Sequence, residues 1–264
     1  MKKEENREKI RYLLEKIVQI SRTVFCDTLT GVYLHGSLAM GCFSDKVSDV
    51  DFLIVVRESP DREQKISLMN RLLCLYPEVP AKGMEMSVVL EKYCRNFVYP
   101  TPYELHLSNA TVSGYRKDPD GYLETYQGQD PDLAAHFVIT KARGITLAGE
   151  AITTLFGEVP KDNYMDSIFR DISNAAEEVK QSPVYVILNL CRVAAFCEEE
   201  KILSKKEGGE WGITHTDSEF HRLLERALAS YQSGEIPDLD QKMTLKFCQS
   251  MLERIRSQMA KRNS

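Results

Sequence analysis

The sequence predicts two architectures in one chain, a small mixed α/β sheet with flanking helices and then an all-α helical bundle. Three observations predict it. Short β-branched or aromatic runs, Gly31-Val32-Tyr33-Leu34 and Asp51-Phe52-Leu53-Ile54-Val55-Val56, alternate with stretches of helical period in the N-terminal part. From residue 130 onward the apolar residues recur at helical spacing throughout. Between about 95 and 128 polar, aromatic, Gly and Pro residues follow no clear period, so this stretch reads as a joint. The expected domains are therefore 1–128 and 129–264.

Each element has its own signal. Ile10, Leu13, Leu14, Ile17 and Val18 recur at helical spacing, so the first two dozen residues read as an amphipathic helix. The two β-branched runs then supply buried strands. Ser59-Pro60-Asp61 reads as a helix start, with a capping hydroxyl, proline at the first helical position and acids in the first turn. Ile66, Met69, Leu72 and Leu73 share one face of that helix, and Pro77 and Pro80 close the segment. From Met84 to Leu90 the chain alternates around Glu85 and Ser87, a third strand. Asp130-Pro131-Asp132 caps a helix running through Arg143, with Gly144 as its stop. Further helices fit roughly 163–180, 184–200, 216–232 and 240–260.

Bulk properties narrow the function. A formal net charge of −5 offers no global attraction for DNA or RNA and leaves a cationic small molecule as the more natural guest. The seven cysteines are odd in number, widely spaced and free of any C-x-x-C pair, which reads as reduced thiols instead of a disulfide or zinc framework. The N-terminus Met1-Lys2-Lys3-Glu4-Glu5-Asn6-Arg7 is charged where a signal peptide would be apolar, and no apolar run reaches membrane-spanning length. A cytoplasmic protein with no nucleic-acid or membrane partner is expected.

The chemistry sits in Tyr33-Leu34-His35-Gly36-Ser37 and, eleven residues on, Asp49-Val50-Asp51-Phe52. Strand alternation puts Asp49 and Asp51 on one face, with Val50 and Phe52 on the other. Two carboxylates held side by side repel unless a cation lies between them, and magnesium takes hard oxygen ligands shared with phosphates. Glu85 is an acid in an otherwise apolar strand, and three converging carboxylates can hold two metals. Gly36 lets the backbone approach a phosphate closely, and the Ser37 hydroxyl adds a donor. Other polar residues read as structural. Trp211 is expected to pack between helices, His106, His136, His215 and His221 show no metal spacing, and Glu198-Glu199-Glu200-Lys201 reads as a solvated helix end.

That segment resembles the signature of the polymerase-β-type nucleotidyltransferases. Over most of its length the chain is similar to the aminoglycoside adenylyltransferases that modify streptomycin and spectinomycin. The matching stretches are Val32–Ser37, Ser48–Leu53, Glu85–Val88, Asp130–Ala134 and Thr140–Arg143, then Leu188-Asn189-Leu190-Cys191-Arg192, Ser204-Lys205 and Glu210-Trp211. The resemblance implies an N-terminal nucleotidyltransferase domain, a C-terminal helical domain, and Mg2+ and ATP as metal and co-substrate. By it, Asp49 and Asp51 bind magnesium, with Glu85 completing the metal site and serving as the base that deprotonates the acceptor hydroxyl. Gly36, Ser37 and Ser48 lie near the triphosphate, and Arg192, Lys205 and Tyr231 match positions that contact ATP.

The chain departs from the streptomycin-modifying pattern on the acceptor side. Ala110 stands nearest to an expected tryptophan, Glu178 stands for one expected acid, and Ser182 occupies the place of another. The implied activity is transfer of AMP from Mg-ATP to a hydroxyl of an aminoglycoside or aminocyclitol such as spectinomycin, an antibiotic-resistance reaction. The alternatives are a non-antibiotic acceptor, or a nucleotide-binding sensor without turnover.

Overall fold

The computed structural model describes residues 2–262. Met1, Asn263 and Ser264, with which the two expected domains begin and end, lie outside the described residues. The chain divides into two compact units, Met1–Asn163 and Tyr164–Ser264.

The first unit runs α1 (Lys2–Phe25), β1 (Leu29–Leu34), α2 (Gly36–Ala39), β2 (Val50–Val56), α3 (Arg62–Cys74), β3 (Met84–Leu90) and α4 (Glu91–Arg95). It continues through β4 (Thr101–Tyr103), β5 (Leu105–Leu107), α5 (Val112–Lys117), α6 (Pro119–Thr125), β6 (Gly128–Asp130), α7 (Leu133–Arg143), β7 (Ile145–Gly149) and α8 (Ile152–Leu155). Five strands form one sheet in the order β5-β3-β2-β1-β7, and β4 pairs with β6 separately. Only β2 and β3 run parallel within that sheet; its other neighbours are antiparallel. The parallel pair needs a crossover, and α3 supplies it.

Alternation sorts the strand residues between two cores. Val50, Phe52, Ile54 and Val56 of β2 face the side where Leu13 and Ile17 of α1 and Leu68, Met69 and Leu72 of α3 are buried. Leu53 and Val55 face the other side, with Leu133 and Phe137 of α7 and Phe156. A sheet buried on both faces is continuously apolar, which is why β2 was legible as a strand. Truncating fully buried Phe52 to alanine would cost about 3–5 kcal/mol.

The structure moves three boundaries. The expected cap at Ser59 is instead Asp61, which accepts from the Gln64 N–H in a capping box. Pro60 therefore lies outside the helix, and Ser59 donates to Glu104 at 2.6 Å. The stretch after residue 130 is not helical throughout. β7 pairs with β1, and α7 covers the sheet, so both belong to the first unit and its division falls beyond 128/129. β7 is mostly exposed and lacks the buried alternation that marks a strand in sequence.

The second unit holds most of α9 (Lys161–Arg170), then α10 (Ala175–Glu178), α11 (Pro183–Glu199), α12 (Lys205–His215), α13 (His221–Ser233) and α14 (Gln241–Arg262). The α11 helix is buried almost all round, from Val186 to Cys197, and packs against α12, α13 and α14. The expected helix over 163–180 is broken into α9 and α10. The α12 helix escaped the periodicity because Gly208 and Gly209 lower helix propensity. Packing demands them there. A Cβ at Gly208 would come within 2.6 Å of Arg192 Cγ, and one at Gly209 within 2.6 Å of both Leu188 and Leu228. A capping box between Ser204 and Glu207 restores the helix start. Among the described residues no helix is long and apolar enough to cross a membrane.

Candidate active site

The carboxylates gather at the N-terminal end of the parallel pair. Asp51 and Glu85 are direct register partners on β2 and β3, and Asp49 sits one residue ahead of β2. The Val50 N–H donates to the Gly83 carbonyl at 3.1 Å, so the entries of both strands are tied together. One carboxylate oxygen from each of Asp49, Asp51 and Glu85 lies within 4.8 Å of the others. Among the described residues this is the one group of His, Cys, Asp and Glu close enough to hold a metal ion. All three are partly exposed, as a site that admits a phosphate must be.

The Gly-Ser turn is built against this cluster. The His35 N–H donates to the Asp51 carbonyl at 2.9 Å, docking the end of β1 onto β2. Gly36 follows with φ +63, and a Cβ there would lie 1.8 Å from Asp51 Oδ2. Both the backbone angle and the space exclude a side chain. Ser37 Oγ is buried and has no hydrogen-bond partner in the protein. The Ser48 hydroxyl accepts from the Ser44 N–H at 3.1 Å and closes the loop that leads into Asp49.

Four residues unremarked or read as structural in the sequence also stand here. Lys82 Nζ lies 3.2 Å from Asp49 Oδ2 and partly offsets the local negative charge. His136 Nε2 lies 3.8 Å from Glu85 Oε1, and the His136 ring lies tilted against His35 with centroids 4.8 Å apart. His106 accepts from or donates to Ser87 Oγ at 3.0 Å on the strand beside Glu85. Burial, and secondarily His136, holds the His35 imidazole well below its ordinary pKa. Burial also lowers His106, against the pull of Glu85. His136 goes the other way. Burial lowers it, but Glu85, Asp132, Asp130 and Asp51 together more than offset burial, and its pKa is raised. Two signals for this group were present in the sequence. His106 is the polar centre of Leu105-His106-Leu107, and His136 is one helical turn past Asp132.

The remaining predicted residues belong to the second unit. Arg192 is on α11, Lys205 is the first residue of α12, and Tyr231 is buried on α13. Arg192 Nε donates to the Leu203 carbonyl at 2.8 Å, and Lys205 Nζ lies over the Tyr185 ring at 4.9 Å. Glu178 is exposed at the end of α10, and Ser182 is exposed ahead of α11. Trp211 is buried, stacks on His215 and donates to Glu199. The segment 198–201 is therefore more than a solvated helix end: Glu198 also takes the Arg254 guanidinium in a two-point pair.

Known proteins carry both halves of this arrangement. The profile of the nucleotidyltransferase domain matches residues 10–111, and that of the aminoglycoside adenylyltransferase C-terminal domain matches residues 154–258. An aminoglycoside (3'') (9) adenylyltransferase of Klebsiella pneumoniae is 23% identical over 239 residues, 86% of this chain and 87% of the relative. The Escherichia coli protein of the same description is 23% identical over 234 residues, 84% of this chain and 85% of the relative. A crystal structure of a spectinomycin adenyltransferase from Enterococcus faecialis, with ATP and spectinomycin, is similar at TM-score 0.78. It covers 93% of this chain and 99% of that one at 19% identity, a likeness of fold. The mixed sheet and the acidic face it presents are those of a nucleotidyltransferase. Both domains follow one another in order, and the chain belongs to the aminoglycoside adenylyltransferase family.

Proposed function

We propose that the enzyme transfers AMP from ATP to a hydroxyl of a cationic aminocyclitol of the spectinomycin type, releasing pyrophosphate. The observation that carries the transfer chemistry is the convergence of Asp49, Asp51 and Glu85 at the N-terminal end of the parallel strand pair.

The residues fit a magnesium-nucleotide. Three carboxylates are hard oxygen donors of the kind magnesium takes. Gly36 leaves space beside Asp51 that a Cβ would fill, and the orphaned Ser37 hydroxyl has a donor to give to a phosphate oxygen. Asp49 and Asp51 hold the metal, with Glu85 completing the set. Bound there, magnesium would polarise the α-phosphate and offset charge on the leaving pyrophosphate. Ser37 and Ser48 contact the triphosphate in this reading, as do Arg192, Lys205 and Tyr231.

In the reaction the acceptor oxygen attacks the α-phosphorus. The new O–P bond forms as the bond to the bridging oxygen of pyrophosphate breaks, and the hydroxyl proton passes to the Glu85 carboxylate. Positioning and charge stabilisation supply most of the acceleration. Glu178 is placed on the acceptor side. The small residues Ala110 and Ser182, standing where the streptomycin-modifying pattern has a tryptophan and an acid, favour spectinomycin over streptomycin.

The test is pyrophosphate release from Mg-ATP with a panel of aminoglycosides. Release with spectinomycin and none with streptomycin is expected. Release with neither, but with another hydroxyl compound, would overturn the acceptor. ATP binding without release under any acceptor would overturn the transferase reading.

A further inference from the structure

In the second unit a chain of side chains leads from the surface to Arg192. Asp171, exposed in the segment after α9, accepts from the Tyr185 hydroxyl at 2.8 and 3.0 Å and from Asn189 Nδ2 at 2.5 Å. Asn189 is 3% exposed, and its Oδ1 accepts from Arg192 Nη1 at 3.1 Å. An ionised carboxylate only accepts, and a guanidinium only donates. The amide between them therefore has one orientation that satisfies both ends, with Nδ2 toward Asp171 and Oδ1 toward Arg192. Buried as it is, Asn189 has no ready water to substitute for a missing partner. Without Asp171 the amide gains a second orientation, in which its N–H groups face the guanidinium and push it away. The Leu203 carbonyl, taken by Nε, holds the other side of the same guanidinium. Nε and Nη1 are thus both spent on posture, which leaves the Nη2 edge for a phosphate.

We propose that Asp171 is a positioning residue, which through Asn189 fixes the Arg192 guanidinium in the pose that grips the triphosphate. The proposal rests on the reading above that Arg192 binds ATP. Tyr185 has a double part. Its hydroxyl braces Asp171, and its ring lies under Lys205, so one carboxylate underlies both cations. Neither Asp171 nor Asn189 touches ATP in this account; they act through Arg192.

Steady-state kinetics of the full-length enzyme with a working acceptor, together with thermal melting, tests this. Asp171→Ala is expected to raise KM for ATP about tenfold, with kcat within about twofold and melting lowered by no more than a few degrees, the cost of leaving the buried Asn189 amide without its acceptor. Asp171→Asn, which still offers an oxygen to Asn189 Nδ2, should recover most of the affinity. Tyr185→Phe keeps the ring under Lys205 and removes only the brace, so about a twofold rise is expected. Arg192→Gln separates the two layers of the argument. If it leaves KM for ATP unchanged, the reading of Arg192 fails. If it raises KM while Asp171→Ala does not, the relay is overturned. The double variant should bind ATP less weakly than the product of the two single effects predicts; a full product would also overturn the relay. A drop in melting temperature for Asp171→Ala with KM unchanged would assign the carboxylate a structural role alone.

Discussion

The charged groups of the first unit and those of the second are held by different means. Asp51 and Glu85 project from adjacent strands whose backbones are hydrogen-bonded in register, and Asp49 follows from the same strand entry. Their spacing is set by the sheet itself. Arg192 and Lys205 project from two helices, and their posture depends on Asn189, Tyr185, Asp171 and a single carbonyl of the 200–204 connection. A backbone ladder resists any one side-chain change, while a relay of side chains fails when one member is lost. The first arrangement suits a centre that must confine like charges. The second suits long, flexible cations that need a fixed end.

Four measurements sharpen this contrast, in falling order of effect. Asp51→Asn should lower turnover on the order of 10³-fold while melting stays within a few degrees, since the strand ladder is untouched. Retained turnover would sink the metal assignment. Glu85→Gln should cost on the order of 10²-fold in kcat with little change in KM for ATP. Arg192→Lys should raise KM for ATP about tenfold with a smaller effect on kcat, because an ammonium cannot keep both the Leu203 and Asn189 contacts. A fall in kcat with KM constant would place Arg192 in the first kind of arrangement.

The smallest effect concerns the first unit's scaffold. Burial pushes the Tyr122 phenol up to about 12, against the Thr111 hydrogen bond that pulls it down. The unfolded chain gives up that proton near the ordinary value of about 10, so between these limits the native state binds more protons. Stability should therefore fall as pH rises through that window, and Tyr122→Phe should show a shallower fall in denaturant titrations. An unchanged slope would remove Tyr122 as the cause.

What could be read in advance followed local regularity. The β2 and β3 runs were plain because both faces of the sheet are buried, and the acids stood out against that apolar background. The stop at Gly144 and the long C-terminal helix were legible from capping and period. The α12 helix was not, because its two glycines answer to Leu188, Arg192 and Leu228 on other helices. β7 was not, because an exposed edge strand has no pattern of its own. Lys82 and His136 escaped for a related reason: one lies in a loop and the other on a helix distant in sequence from Glu85, and the one local sign, Asp132 a turn before His136, does not point to Glu85.

The sequence by itself determined the two-part organisation and the Gly-Ser, Asp-x-Asp and Glu elements, because strand alternation and glycine's freedom are properties of consecutive residues. It also placed Arg192 on a helical segment. Only the tertiary structure decided that Asp51 and Glu85 are register partners, that Gly36 must be bare to pass Asp51, and that β7 completes the sheet. The same holds for the relay from Asp171 to Arg192, which joins the turn after α9 to α11. Register and side-chain orientation are settled by contacts between segments far apart in the chain, and no window of sequence contains both partners.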